Sequence, residues 1–519
     1  MDTPVIKKKL GLKERYAAMT RGLHWDTTYQ PMDKVFPYDK YEGIKIHDWD
    51  KWEDPFRLTM DAYWKYQGEK EKKLYAVIEA FAQNNGQLGV TDARYLSALK
   101  VFLTGVSPLE YYAYRGFAHT GRQFTGAAAR VACQMQAIDE LRHNQTQTHA
   151  LSHYNKYFNG LHSPQHMFDR VWYLSVPKSF FEDAYTGGPF EFLTAVSFSF
   201  EYVLTNLLFV PFMSGAAHNG DLSTVTFGFS AQSDESRHMT LGIECIKFML
   251  EQDPDNAPIV QRWIDKWFWR GYRLLSIVAM MQDYMLPKRV MSWRESWEMY
   301  VEENGEALFR DLARYGIRKP KGWEQACEGK DHISHQTFAV FYNYGAAAAF
   351  HTWVPEKEEM AWLSEKYPET FDKYYRPRWN HWREQAEKGN RFYQKTLPML
   401  CQIDQVPMIF TEEGDATKIA YRESDYLGEK YHFCSDHCKE IFDHEPEKYV
   451  QAWLPPHQVY QGNCFKPGVD PTAEGFDPLL ALLDYYNMNF GRDNFDFEGS
   501  EDQKNFAAWR GESLEGAGK

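Results

Sequence analysis

From residue 91 onward, apolar positions recur at the spacing of one helix face, and clusters of turn residues divide the pattern into long segments. This predicts helices over 92–114 and 123–154, then a helical connection near 165–185 that Gly187-Gly188-Pro189 closes. Helices over 190–218 and 222–252 follow, joined by Asn219-Gly220-Asp221, whose aspartate is placed to cap the second. The same periodicity covers 257–285, 293–315, 333–353 and 356–388. Pro108 lies inside the first helix and is expected to bend it just before Glu110. Residues 1–55 are polar, aromatic and broken by prolines, with a short basic amphipathic stretch at Lys7–Thr20. They read as an arm packed on this chain or on a partner. After Pro398 short strand-like runs, Met408-Ile409-Phe410 and Lys430–Phe433, alternate with turns and clustered Cys and His. The expected organisation is an arm and packing segments over 1–90, a helical domain over 91–397, a small mixed module over 398–460 and a Gly- and Asp-rich surface tail over 461–519.

Two predicted helices carry the same five-residue pattern, Asp139-Glu140-Leu141-Arg142-His143 and Asp234-Glu235-Ser236-Arg237-His238. In each, a carboxylate and an imidazole three residues apart share one helix face. Upstream, Glu110 precedes Glu140 by 30 residues and Glu201 precedes Glu235 by 34, distances that suit antiparallel helix pairs with ligands at matching depth. A four-helix bundle with these six side chains in its core holds two metal ions. Glu201 sits in Ala195-Val196-Ser197-Phe198-Ser199-Phe200-Glu201-Tyr202-Val203-Leu204, with no basic residue beside it. A bare buried carboxylate there is costly, and a divalent metal offsets the cost. Carboxylates with one imidazole per ion favour iron or manganese. The flanking pairs, Asp139 with Arg142 and Asp234 with Arg237, suit a supporting role: an Asp accepts the free N–H of a ligand histidine and an Arg orients the Asp.

Length and charge narrow the picture. At 519 residues and 16% aromatic, the chain has material for a large core with appendages. A formal charge of −14 argues against nucleic acid as a partner. The longest apolar run, Phe198–Ala217, contains Glu201, so no membrane span is expected. The lysine-rich N-terminus lacks an apolar segment behind it and does not read as a secretory signal. The seven cysteines are odd in number and clustered late, which points to the reduced cytoplasm. Cys434 and Cys438, with Cys401 upstream, suggest a structural zinc site; the fourth ligand is open between Asp404, His437 and His432.

Taken together, Glu110, Ile138-Asp139-Glu140-Leu141-Arg142-His143, Glu201 and Asp234-Glu235-Ser236-Arg237-His238 resemble the large hydroxylase subunit of the soluble bacterial multicomponent diiron monooxygenases. The opening Lys7-Lys8-Lys9-Leu10 and Trp25-Asp26-Thr27-Thr28-Tyr29-Gln30-Pro31, with the Cys-bearing module, look most like the phenol hydroxylases among them. The resemblance implies a mainly α fold: a ferritin-like four-helix di-metal bundle expanded with further helices. It implies two iron ions, with Glu110 and His143 terminal on one, Glu201 and His238 terminal on the other, and Glu140 and Glu235 bridging. Thr205, Asn206 and Gln232 match the polar positions beside the metals in that family. Offsets from the ligands suggest Val106, Ala113, Phe200 and Phe209 as substrate-pocket walls.

The chemistry so implied is O₂ activation and hydroxylation of an aromatic ring, phenol to catechol. The chain shows no flavin, nicotinamide or ferredoxin fingerprint, so electrons must come from outside. The resemblance supplies the partners: smaller beta and gamma subunits in a dimer of alpha-beta-gamma, a regulatory protein, and a ferredoxin–flavin reductase that uses NAD(P)H. A toluene- or benzene-type monooxygenase and an acyl-chain desaturase are same-class alternatives. A ferritin-like metal-binding protein is the alternative from another class. A radical-generating reductase subunit needs a tyrosine one turn after the first histidine, where this chain has Asn144-Gln145-Thr146-Gln147.

Overall fold

The computed structural model describes residues 8–476, apart from 24–26, 36–40, 91–92, much of 159–171, 344–353, 389–398, 409–410, 413–414, 420, 453, 455–467, 469 and 471. The expected tail over 461–519, the second half of the helix expected over 333–353, Ile409, Phe410 and Cys464 lie wholly or mostly outside the described residues, as do Lys7, Trp25 and Asp26.

Helices build most of the chain. They include α1 (Leu12–Thr20), α2 (Met60–Gln83), α3 (Ala93–Gln123), α4 (Ala127–Tyr154), α5 (Ser175–Thr186), α6 (Pro189–Leu193), α7 (Asn206–His218), α8 (Leu222–Gln252), α9 (Ala257–Leu274) and α10 (Ser276–Met280). Shorter helices between 293 and 387 pack outside them. The bundle is closed by α3 against α4 and by α8 against both α4 and the segment after α6. Asp221 does cap α8, accepting from Thr224 N at 3.0 Å. It also accepts from Tyr95 of α3, at 2.6 Å, and from Tyr154 of α4, so one buried carboxylate ties three bundle helices together.

Four helical expectations need correction. The first helix does not stop at Tyr114 but runs to Gln123, and the next starts at Ala127. Gly116 and Gly121, inside the helix, are contact points. A Cβ at Gly116 would sit 2.1 Å from the Phe192 ring, and one at Gly121 would sit 3.0 Å from Cys133 Cβ. The helix expected over 190–218 is three pieces: α6, a π-helical segment Thr194–Tyr202, and α7, with a 42° bend between the last two. The helix expected over 257–285 is divided between Leu274 and Ser276 and ends in a π-helical turn, Met281–Met285. The helix expected over 356–388 also breaks, across Tyr367–Thr370, whereas that expected over 293–315 runs through, with a π-helical turn at Glu298–Glu302.

The fifth correction is an omission. Residues 60–83, expected to be packing segments of an arm, form the 24-residue helix α2. Its inward stripe is Tyr63, Gln67, Leu74 and Ile78, two of them polar, and a run of charges (Glu69-Lys70-Glu71-Lys72-Lys73) interrupts it. Hydrophobic periodicity is blind to a helix whose buried side is half polar.

The late module holds two antiparallel hairpins, β1 (Thr411–Glu412) with β2 (Asp415–Ile419) and β3 (Arg422–Tyr426) with β4 (Glu429–Phe433). Leu427 and Gly428 both adopt positive φ, 53° and 85°, which closes the second hairpin in the sense that matches strand twist. Helix α11 (Asp436–His444) follows, capped by Ser435 Oγ, which accepts from Cys438 N at 3.2 Å. Arg270 of α9 docks the module, donating to Ile403 O at 3.0 Å and to Asp183 of α5. Among the described residues no single helix is long and apolar enough to cross a membrane.

Candidate metal centre

Four elements deliver the six predicted donors to one depth. Glu110 comes from α3, Glu140 and His143 from α4, Glu201 from the π-helical segment, and Glu235 and His238 from α8. All six are buried. The Glu140 carboxylate lies between the imidazoles, Oε2 3.4 Å from His143 Nδ1 and Oε1 3.1 Å from His238 Nδ1. Glu110 Oε2 is 3.8 Å from His143 Nδ1, and Glu235 Oε2 is 3.5 Å from His238 Nδ1. Two overlapping groups result, Glu110/Glu140/His143 and Glu140/Glu201/His238, with donor atoms in each within 4.8 Å of one another. Glu140 belongs to both.

The π-helical backbone explains how Glu201 gets there. One extra residue per turn rotates the side chains that follow, and such turns recur at functional sites. The segment lies directly against α8. A Cβ on Gly242, one turn after His238, would meet Ser197 O at 2.2 Å, so only glycine permits this approach.

Each histidine turns its other nitrogen to the aspartate of the opposite motif. His143 Nε2 is 3.1 Å from Asp234 Oδ2, and His238 Nε2 is 3.4 Å from Asp139 Oδ2. Arg142 reaches both aspartates at 3.3 Å, and Arg237 reaches both as well. The doubled motif is thus an interlock in which each copy supports the other's histidine. Helix α2 seals it from outside. Gln67 Nε2 donates to Asp139 Oδ1 and Asp234 Oδ1, both at 2.9 Å, Tyr63 OH donates to Asp139 at 2.7 Å, and Lys70 pairs with Asp234 at 2.7 Å. Glu71 takes Arg142 Nε at 2.7 Å.

Two further amides hold the outer carboxylates. Gln136 donates to Glu201 at 2.9 Å and Gln147 to Glu110 at 2.7 Å. Sequence reasoning misses both, although they stand four residues before Glu140 and four after His143, on the ligand face of α4. It also misses Tyr63, Gln67, Lys70 and Glu71, for the reason that hides α2.

Charge is crowded here. Burial lifts the Glu140 carboxyl to about 7, Glu110 adds to the rise, and the two imidazoles oppose it. Burial also pushes Glu201 well above the ordinary range, helped by Glu140 and Glu235. Burial disfavours charged imidazoles, yet the surrounding carboxylates outweigh it and raise His143 and His238 well above theirs. The set asks for positive charge. Three buried atoms, His143 Nδ1, His238 Nδ1 and Glu235 Oε2, have no hydrogen-bond partner. Such orphans are rare in a folded interior. These donors fit a pair of divalent ions of the iron or manganese kind.

One wall of a cavity of about 860 Å³, counted with its opening to solvent, is made of Glu110, Glu140, Glu201 and Glu235. The other walls are apolar and include Val106, Ala113, Phe200 and Phe209, with Phe181 and Ile277 beyond them. Thr205 lines it too, at the bend between the π-helical segment and α7. Asn206 and Gln232 do not line it; they pair across α7 and α8, Gln232 Nε2 donating to Asn206 Oδ1 at 3.1 Å.

The late cluster is a closed counterpart. Cys401, Asp404, Cys434 and Cys438 are all buried, with ligating atoms within 4.8 Å of one another. Asp404 Oδ2 is 3.0 Å from Cys434 Sγ and 3.2 Å from Cys438 Sγ. Arg273 Nε sits 3.4 Å from the same oxygen. Burial and the neighbouring Cys434 raise the Asp404 carboxyl to about 6, against the pull of Arg273. The histidine alternatives are engaged elsewhere: His437 contacts Gln325 and the Trp269 ring, and His432 pairs with Glu423.

Known proteins share this arrangement. The model of the methane/phenol/alkene hydroxylase family matches residues 25–253, and that of the YHS domain matches 413–453. The oxygenase component of phenol 2-monooxygenase from Pseudomonas sp. strain CF600 is 65% identical over 507 residues, covering 98% of this chain and 96% of that one. The alpha subunit of the alkene monooxygenase oxygenase component from Xanthobacter autotrophicus is 27% identical over 448 residues, covering 83% of this chain and 87% of that one. The crystal structure of xenon-pressurised phenol hydroxylase from Pseudomonas sp. OX1 superposes with a TM-score of 0.90 at 65% identity, covering 96% of this chain and all of that one. With identity that high over nearly the full length of both chains, the protein belongs to the methane/phenol/alkene hydroxylase family as a large oxygenase subunit.

Proposed function

We propose that this chain is the oxygenase component of a phenol 2-monooxygenase, hydroxylating phenol to catechol at a carboxylate-bridged diiron centre. The observation that carries the reading is the convergence of four buried carboxylates on the wall of an apolar cavity, with two imidazoles whose Nδ1 atoms are orphaned beside them. Family membership and the name of the 65% identical relative support phenol as the substrate.

In this reading Glu110, Glu140 and His143 would hold one ion, Glu140, Glu201 and His238 the other, and Glu235 would complete the set. Bound iron supplies the reductive activation of O₂. The protein's own groups do the rest. Asp234 and Asp139 accept the Nε2 protons of His143 and His238, fixing the tautomer that leaves each Nδ1 free to ligate. Gln147 and Gln136 orient Glu110 and Glu201. Phe200, Phe209, Val106 and Ala113 hold the aromatic ring and exclude water. The Thr205 hydroxyl, at the cavity wall, holds or passes a proton beside the reacting atoms, and the Asn206–Gln232 pair steadies the α7–α8 contact behind it.

Cys401, Asp404, Cys434 and Cys438 would hold a structural zinc. The working enzyme would add beta and gamma subunits as a dimer of alpha-beta-gamma, a regulatory protein and a ferredoxin–flavin reductase, in the cytoplasm. The test is Mössbauer spectroscopy of the purified hydroxylase, then a single turnover of the chemically reduced protein with O₂ and phenol. Two coupled irons per chain and catechol are expected. Absence of either refutes the reading.

A further inference from the structure

Outside the two clusters already described, a third set of ligating side chains converges on the outer ends of α2 and α4. Glu79 of α2 faces His149 and His153 of α4. His149 Nε2 lies 2.8 Å from Glu79 Oε1, and His153 Nε2 lies 3.2 Å from the same oxygen. The two Nε2 atoms are 3.4 Å apart. Four residues of helix put both imidazoles on one face, one turn from each other, which is the spacing that chelates a metal in helical His-x-x-x-His pairs. The His149 and His153 side chains are 31% and 21% exposed and that of Glu79 is 44% exposed, so a cation reaches them from solvent. Tyr75, also on α2, packs edge-on against His149 with ring centroids 4.9 Å apart, which fixes one side of the pair.

Hydrogen bonding alone serves these three atoms poorly. If both Nε2 atoms carry protons for Glu79, two donors confront each other at 3.4 Å. If one does not, it can accept from the other ring only at 3.4 Å, while its lone pair also faces a carboxylate oxygen. A cation at the centre accepts both lone pairs and the carboxylate together. Two imidazoles and one carboxylate suit zinc, cobalt, nickel or copper better than the carboxylate-rich centre does. Three protein ligands with an open side leave room for water in the remaining position.

We propose that Glu79, His149 and His153 form a third, solvent-accessible site for a divalent transition cation of the zinc or cobalt type. It lies along α4 from the diiron candidate, His149 standing six residues beyond His143, or about 9 Å of helix rise. A bound ion staples α2 to α4. Because α2 also brings Tyr63, Gln67 and Lys70 to the two aspartates, the staple acts on the same helix pair that supports the ligand histidines.

The experiment uses the intact hydroxylase with its iron and its cysteine-cluster metal in place. Cobalt(II) is added in stepwise equivalents, the protein is gel-filtered, and retained cobalt is measured beside the visible spectrum. Wild type is expected to keep one extra equivalent per chain, with ligand-field bands and no thiolate charge-transfer band, and to unfold at a higher temperature with cobalt than without. His149→Ala/His153→Ala is expected to keep none while its iron content and its turnover without added cobalt match wild type. Glu79→Gln, which removes only charge at a part-exposed position, is expected to weaken retention at least tenfold. The assignment is overturned if wild type retains no extra cobalt, if a thiolate band shows the ion in the cysteine cluster instead, or if Glu79→Gln and the double variant bind as wild type does.

Discussion

The two buried clusters solve opposite problems with the same tactic of hiding charge. In the bundle, four of the six donors line a cavity, three donor atoms make no hydrogen bond, and support comes from two aspartates behind the histidines that Arg, Gln, Tyr and Lys hold in turn. In the late module, four donors face one another within a hairpin, a helix and a loop, and Arg273 stands beside them. An open set with soft internal repulsion can change what it binds; a closed thiolate set can only hold. The comparison predicts that damage to the first region shows in turnover, whereas damage to the second shows in stability.

The most severe break is Glu201→Ala. It removes the carboxylate proposed as a terminal ligand, so iron content is expected to fall by about half or more and phenol turnover to fall below detection. Metal in the cysteine cluster is expected to stay at wild-type level. Iron and zinc analysis of the same sample reads both. Full iron retention would remove Glu201 from the ligand set.

Next is Gln67→Leu. Its single amide donates to Asp139 and Asp234 at once, and it is not among the residues that line the cavity. Loss of an outer partner of this type typically costs 10–100-fold in metal affinity or activity. We expect chelator-driven iron loss to speed up by about that factor with little change in KM for phenol. A change confined to KM would show that Gln67 acts on the cavity rather than on the aspartates.

That residue also marks the boundary of what the chain reveals before folding. The doubled Asp-Glu-x-Arg-His pattern is legible because a helix turns spacing into direction, and Glu110 and Glu201 are legible because a charge in an apolar run needs a reason. The interlock is not legible: nothing in either motif says that Asp139 serves His238 and Asp234 serves His143. Helix α2 is hidden because its inward face is half polar. The π-helical turn is hidden because Ala195-Val196-Ser197-Phe198-Ser199-Phe200 has no charged residue and is buried throughout, so it carries no helical phase. In the late module, spacing leaves Asp404, His432 and His437 equivalent, and only the packing of Trp269 and Glu423 takes the histidines away.

Gly242→Ala tests the hidden π-helical turn with one methyl group. The added carbon would lie 2.2 Å from Ser197 O, a backbone atom that cannot swing aside, so α8 and the segment bearing Glu201 must part. Overpacking of this kind costs about 1–3 kcal/mol. A turnover loss of several-fold is expected, with an altered Mössbauer spectrum and a lowered unfolding temperature. An unchanged spectrum would show that Glu201 does not depend on the contact.

Cys438→Ser should affect turnover least and is the sharpest test of the division. It takes one sulfur from the closed cluster and leaves Cys401, Cys434 and Asp404 too few to hold the proposed zinc tightly. Loss of a structural metal is among the few single changes that destabilise by more than about 4 kcal/mol, here locally, in the module and its docking to α9. Zinc is expected to drop to near zero and the module to become the first part digested by protease. Yet the docking contacts run from Arg270 to Asp183 of α5 and to Ile403, and none of these residues touches a diiron donor. The diiron spectrum should therefore match wild type, and per-iron turnover should stay within about twofold at temperatures below the module's unfolding. If the spectrum shifts at such a temperature, α9 transmits strain from the module to the cavity wall that Leu274 shares, and the two clusters form one mechanical unit rather than two.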